Sequence, residues 1–233
     1  MPTTLCSIET ILAGRAVAYT RPGTKSAIAK TALAGPVAVH VSGLEGDEHG
    51  DPEVHGGPDK ALLHYAFDHY AAWCEDLGGH KLLEAPGAFG ENLSTRGVTE
   101  HDICLGDRLR AGGVVLEVSQ ARQPCWKLSD RFGRPDMARR VQDTARAGWY
   151  YKVLEPGVIA AGDMMSLVER PYPDWPVSRL LELLYKRRLD KDWLREAVSL
   201  PLPPSWLKVF EGRLARGSIE DWAPRLVGPP APP

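Results

Sequence analysis

Cysteine is scarce and scattered in this chain: four in 233 residues, at positions 6, 74, 104 and 125, with no CxxC pair. That rules against a disulfide scaffold and a structural zinc site, and it suits a reducing compartment. No run approaches the length of a membrane span, and the opening "MPTTLCSIETILAGRAV" lacks the basic start and continuous apolar stretch of a signal peptide. A soluble, cytoplasmic protein without membrane association is expected. An excess of either charge is also missing, since 28 Lys and Arg against 30 Asp and Glu give a formal charge of −2. Without a global basic field, nucleic-acid binding is not expected and any anion site must be local. The chain contains no GxxxxGK[ST] phosphate loop, no HExxH helix and no glycine-rich nucleotide fingerprint behind a strand.

What is present changes character near residue 170. Before it, short β-branched runs alternate with glycine-rich turns: "AVAY", "PVAVHVSGL", "DICLGDRLRAG", "VVLEVS", "WYYKVLEPG" and "DMMSLVE". Such spacing predicts a mainly β, barrel-like domain with a few helices. "LGDRLRAG" and "AAGDMMSLV" each put a Gly-Asp turn ahead of an apolar run, so Asp107 and Asp163 read as turn-formers that open strands. In "FDHYAAWCEDLGG", Phe67, Tyr70, Ala71, Cys74 and Leu77 fall at helical spacing and Gly78 and Gly79 supply the stop, which makes Cys74 a core residue. The arginine-rich "RPDMARRVQDTARAG" is a second helix, closing at Gly148.

Pro171, Pro173 and Pro176 mark a linker. Beyond it come three short helical pieces: "VSRLLELLYKRRL" with an N-cap at Ser178, "DKDWLREAV" starting at Asp190, and "PSWLKVFEGRLARG" running from near Ser205 to Gly217. None is long enough to stand alone, so they should pack together or on the main domain. The division expected is a β-barrel domain over residues 1–170, a small all-α three-helix unit over 176–220, and a disordered tail over 228–233.

Three clusters carry the polar chemistry. "GLEGDEHGDPEVHGGPDKALLHY" holds His49, His55, Lys60 and His64 among five glycines, and "HGGPDKA" offers Gly56 and Gly57 backbone N–H groups, a lysine and the start of a following helix, all suited to an anion. A glycine-rich turn with a surface lysine reads equally well. In "GAFGENLSTRGV", Glu91 and Asn92 sit in a glycine-flanked turn before a short strand, where Asn92 either presents its amide to a heterocycle or closes the turn. In "SQARQPCWKL", Cys125 follows a strand and Pro124, and Arg122 and Lys127 supply positive charge that would favour the thiolate. A thiolate serves as a soft-metal ligand or as a nucleophile, and spacing does not choose between them.

The ordered series "GLEGDEHGD…VHGGPDKALLHY…GAFGENL…DICLGDRLRAGG…LEVSQARQPCWKL…GWYYKVLEPGVIAAGD" resembles the MOSC domain, named after the C-terminal domain of molybdenum cofactor sulfurase. Within that group it resembles the bacterial 6-N-hydroxylaminopurine resistance proteins of the YiiM type, and the helical tail is similar to their three-helix extension. The resemblance implies binding of the molybdenum cofactor (molybdopterin) with Cys125 as the molybdenum ligand. It also implies that His55, Gly56, Gly57, Lys60, Glu91, Asn92, Arg122 and Lys127 line the cofactor or substrate pocket. The implied activity is reduction of small N-hydroxylated compounds, hydroxylaminopurine-type base analogues among them, to amines, which would be a detoxification. With no nucleotide fingerprint and no clustered cysteines for iron–sulfur, electrons would come from a separate reductase partner. His55 is the candidate for proton delivery. A homodimer is a further possibility. Phe67, Asp68, Ala121 and Lys152 depart from the usual pattern and bear on substrate range. Two other readings stand beside this one: a sulfur carrier working through a Cys125 persulfide, and a cofactor-binding module without turnover.

Overall fold

A computed structural model describes residues 3–51 and 56–230. Seven strands close into a barrel: β1 (Thr3–Ala13), β2 (Leu62–Ala66), β3 (Leu93–Thr95), β4 (Arg108–Ala111), β5 (Val114–Ala121), β6 (Trp149–Glu155) and β7 (Met164–Glu169). Around the ring the order is β7-β4-β5-β6-β2-β3-β1, and β1 pairs back onto β7 with Cys6 opposite Met165. The 11 residues of β1 serve two neighbours because its register slips between Thr4 and Cys6 and again between Ile8 and Thr10. Such bulges bend a strand enough for the sheet to close and leave no free edge. β2 and β3 run parallel, joined by the excursion that contains the first helix, α1 (His69–Leu77).

The expected turns behave as chemistry dictates. Asp107 accepts from Cys104 N at 2.8 Å and Asp163 from Ala160 N at 2.8 Å, so both carboxylates brace the backbone just ahead of a strand. α1 ends at Gly78, whose φ of 68° is the left-handed stop glycine adopts without strain. An aromatic cluster packs α1 against β2: Tyr65 stacks on Phe89 with centroids 4.2 Å apart, and Trp73 of α1 donates to the Tyr65 hydroxyl at 2.7 Å.

Two more helices, α2 (Trp126–Phe132) and α3 (Met137–Thr144), fill the gap between β5 and β6. α3 ends at Ala145, φ 58°, three residues short of the Gly148 stop expected from sequence. Gly148 is needed elsewhere, because a Cβ there would collide with the His64 carbonyl across the sheet. The "HGGPDKA" segment also differs from expectation: after Gly57 there is a single 3-10 turn, Pro58–Lys60, and then strand β2 rather than a helix. All five residues of β2 are buried, and a short run buried on both sides is best satisfied in a sheet.

The tail forms α4 (Val177–Tyr185), α5 (Lys191–Ala197) and α6 (Pro204–Arg216). Asp190 caps α5 by accepting from Asp192 N and Trp193 N, each at 3.2 Å, and Gly217 closes α6, both as read from sequence. Ser178 is not the cap of α4; Pro176 precedes the helix, with Ser178 N donating to Glu100 O at 2.8 Å. Leu180, Leu181, Leu183 and Leu184 are all buried, each contributing roughly 1.5–3 kcal/mol of gross burial energy that a nine-residue helix lacks alone. The proline segment is packed rather than free, since Trp175 is buried and its carbonyl accepts from Leu105 N at 2.9 Å. A further helix, α7 (Ala223–Val227), was not foreseen; Gly228 of the expected disordered tail lies against Trp126 of α2, and 231–233 are outside the described residues.

His64 is fully enclosed between β3 and β6, hydrogen-bonded to Tyr151 Oη at 3.0 Å and Thr95 Oγ1 at 2.7 Å. Burial pushes it down to about 3, so it stays neutral in the fold while an unfolded imidazole protonates near 6.5. Below pH 6.5 the unfolded state therefore binds the extra proton, and this residue costs stability, at most roughly 1.4 kcal/mol per pH unit, until pH 3. Nitrogen-15 imidazole spectra should show His64 as a single neutral tautomer at pH 5; a charged ring at that pH would contradict the assignment.

Candidate functional site

Cys125 sits where β5 has ended and α2 begins, in extended backbone at φ −129°, ψ 168°, as the residue that caps the helix. It opens onto a cleft of about 830 Å3 and a small adjoining recess of about 80 Å3. The barrel contributes Lys60, Gln120 and Tyr150 to the cleft. The hairpin over residues 17–26 contributes Gly23, Thr24 and Lys25, and the helical tail contributes Trp206 and Arg225. Gly50 is also in this wall, and any side chain there would strike the Lys25 backbone, so glycine is what lets the hairpin close over the site.

The residues expected at the site fall in different places. Lys60 and Cys125 line both the cleft and the recess and are close enough to interact electrostatically; burial lowers the Lys60 pKa, with Asp59, Asp51 and Cys125 acting against that. Lys127 lines both as well, but its ammonium donates to Lys25 O at 2.8 Å, which ties the hairpin to α2. Arg122 is 5% exposed and does not itself line the cleft, although its neighbours Ala121 and Gln123 do. Its Nη1 is a buried donor with no hydrogen-bond partner among the described residues, and its charge acts on Tyr150 in the cleft wall.

Glu91 and Asn92 both hydrogen-bond within the protein. Glu91 accepts from Gly87 N at 2.6 Å, Tyr70 Oη at 2.6 Å and Phe89 N at 3.1 Å, and is wholly buried. Asn92 borders the recess, yet its oxygen accepts from Leu63 N at 3.0 Å and its amide donates to Leu12 O at 3.1 Å and Asp47 Oδ2 at 2.8 Å. Asp47 is in turn ion-paired to the buried Lys30. Gly56 and Gly57 border a different hollow, shared with His40 and Glu48, and not the cysteine cleft. His55 lies outside the described residues.

Sequence reading named His49 in a polar cluster without assigning it to the pocket, and it missed Tyr150, Trp206 and Arg225. His49 lines the recess beside Cys125, and burial lowers its pKa, opposed by Asp47. Its place in the polar "EGDEHGD" run was the one signal available. Trp206 and Arg225 had none, being 81 and 100 residues from Cys125 in the chain.

The chain is thus a closed β-barrel with a cysteine at the mouth of a cleft lined by basic and aromatic residues, and a helical extension covers one side of that cleft. The comparisons agree: the MOSC domain matches residues 51–166, and the YiiM-like, 3-alpha helix domain matches residues 175–217. The chain belongs to the MOSC-domain family, in its YiiM-like branch. It is 38% identical over 219 residues to protein YiiM of Escherichia coli K12, covering 94% of this chain and 97% of that one. The crystal structure of YiiM from Escherichia coli aligns with a TM-score of 0.77 at 33% identity, over 98% of this chain and all of that one. A Gibberella moniliformis protein named a reductase is 40% identical over 190 residues, 81% of this chain but 34% of its own length.

If Asn92 is structural, Asn92→Ala strands the buried Leu63 N–H and should cost about 2–4 kcal/mol of unfolding free energy. Urea denaturation reads this directly; an unchanged midpoint would return Asn92 to the list of ligand contacts.

Proposed function

We propose that this chain binds the molybdenum cofactor in the Cys125 cleft and reduces small N-hydroxylated compounds to amines with electrons from a separate reductase. The observation that carries the reading is a cleft-lining thiol with a buried arginine nitrogen, Arg122 Nη1, that has no hydrogen-bond partner among the described residues, just behind the wall. A thiolate is a soft-metal ligand, and an unpartnered guanidinium nitrogen is best satisfied by an anionic group such as a phosphate. A volume of about 830 Å3 lies within the range of cofactor and small-ligand sites. The residues therefore fit the group.

In this reading Cys125 supplies the sulfur ligand, Lys60 holds the cofactor's anionic part, and the Arg122 charge behind the wall adds to that attraction. Gln123, which lines the cleft, carries an amide suited to a heterocycle. When bound, the cofactor supplies a metal centre able to pass two electrons. The chain's own work is to orient the substrate against Trp126 and Tyr150, to keep bulk water out, and to deliver protons. His55 is the residue proposed for proton delivery, and His49 stands in the recess as a second imidazole. The fungal relative called a reductase supports the redox assignment. MOSC membership supports the cofactor.

The first test is metal and pterin content by mass spectrometry, on wild type and Cys125→Ala purified without oxygen from a host that makes the cofactor. Near-stoichiometric molybdenum in wild type, reduced at least tenfold in the variant, is the expected result. No metal, with a sulfane sulfur on Cys125, would replace this reading with the sulfur carrier. Given a loaded protein, His55→Gln should lower turnover with an artificial electron donor at least tenfold at unchanged molybdenum content; full turnover would remove His55 from the mechanism.

A further inference from the structure

One wall of the cysteine cleft belongs neither to the barrel nor to the three helices that the family extension accounts for. It is the segment over residues 223–229, containing α7, from which Pro224, Arg225 and Pro229 face the cleft alongside Trp126. Its attachment is mostly polar. Arg225 donates to the carbonyl of Pro124, the residue before Cys125, and to Gln142 Oε1 at 2.6 Å. From the opposite side, Arg21 donates to Val227 O at 2.5 Å and to Pro229 O. The same guanidinium grips Asp130 of α2 at 3.0 and 2.9 Å and lies 4.2 Å over the Trp126 ring.

Only Leu226 of this segment is buried, so little apolar area anchors it and a few arginine-to-carbonyl bonds decide where it sits. The backbone approach is close: Gly228 has φ 70°, and a Cβ there would run into the Trp126 indole. A segment held this way is set against the cleft by named, removable contacts, in contrast to α4, whose four leucines lock it to the core.

We propose that residues 223–229 are a specificity-determining strap that sets the width of the cleft over Cys125. The strap admits compact single molecules and excludes groups carried on a polymer or a protein. The inference gives its functional meaning to the proposed reductase site, yet it concerns access to a sulfur atom and is tested without the cofactor.

The experiment uses the full chain made in a host without the cofactor pathway, so that no metal competes for the sulfur. Alkylation of Cys125 is followed by peptide mass spectrometry with iodoacetamide and with a maleimide carrying a long polyethylene glycol chain. Gly228→Val and Arg21→Ala each release the strap from a different side. For both variants the bulky reagent should react at Cys125 at least tenfold faster than in wild type, with the iodoacetamide rate changed less than threefold and the buried Cys6 and Cys104 still protected. An unchanged bulky-reagent rate, or equal acceleration of both reagents, overturns the strap. Hydrogen exchange on unmodified protein provides the check that no variant can spoil: Val227 and Gly228 amides exchanging as fast as an unfolded chain would also overturn it.

Discussion

The buried carboxylate of Glu100 is the constraint on which the relation of barrel, helical tail and cysteine loop depends. One oxygen accepts from Ala147 N at 2.9 Å and Gly148 N at 2.7 Å, and the other pairs with His69 of α1 at 2.7 Å. Burial acts to raise its pKa, and the bonds from His69 and the backbone outweigh that, leaving it below the ordinary carboxylate value. A buried charge is tolerated only when its partners are fixed, so Glu100 fixes them. Its backbone carbonyl takes Ser178 N at the start of α4, and Gly148 O takes Arg122 N at 2.9 Å. Thus one residue ties α1, the entry to β6, the helical tail and the loop that carries Cys125.

A second set of buried carboxylates does the same for the glycine-rich loops. Glu91 gathers the amides of Gly87 and Phe89, and Asp47 joins Lys30 to Asn92 and accepts from Gly14 N at 2.7 Å. Polar residues that looked like ligand contacts are therefore the supports of the site. Each satisfies backbone groups that loops leave unpaired, which is how a loop-built cleft can stay rigid. Cys125 and Lys60 line the cleft that these loops support.

Strands, the Gly-Asp turns, α1 with its Gly78 stop, and the cap at Asp190 were legible because each is decided by neighbours within a few residues. The cysteine's position after a strand was legible for the same reason. The end of α3 was misplaced because Gly148 is reserved for a close approach to β2, a long-range demand. The helix expected after "HGGPDK" was misplaced because β2 is buried on both faces, and complete burial erases the alternation that marks a strand. The hydrogen bonds that Glu91 and Asn92 make within the protein were not legible because a turn's sequence does not reveal whether its polar side chains face inward or outward.

By itself, then, the sequence determined the mainly β character, the helical tail, the cysteine at a strand end and, through the order of its motifs, the family. Local propensity, turn chemistry and motif order are all written in adjacent residues. Only the tertiary structure decided that the ring closes through β1 and β7, that Glu91 and Asn92 brace loops, and that Trp206 and Arg225 reach the cysteine cleft. Those outcomes depend on which distant groups share a buried space and must satisfy one another there, a condition that exists only once the chain has folded.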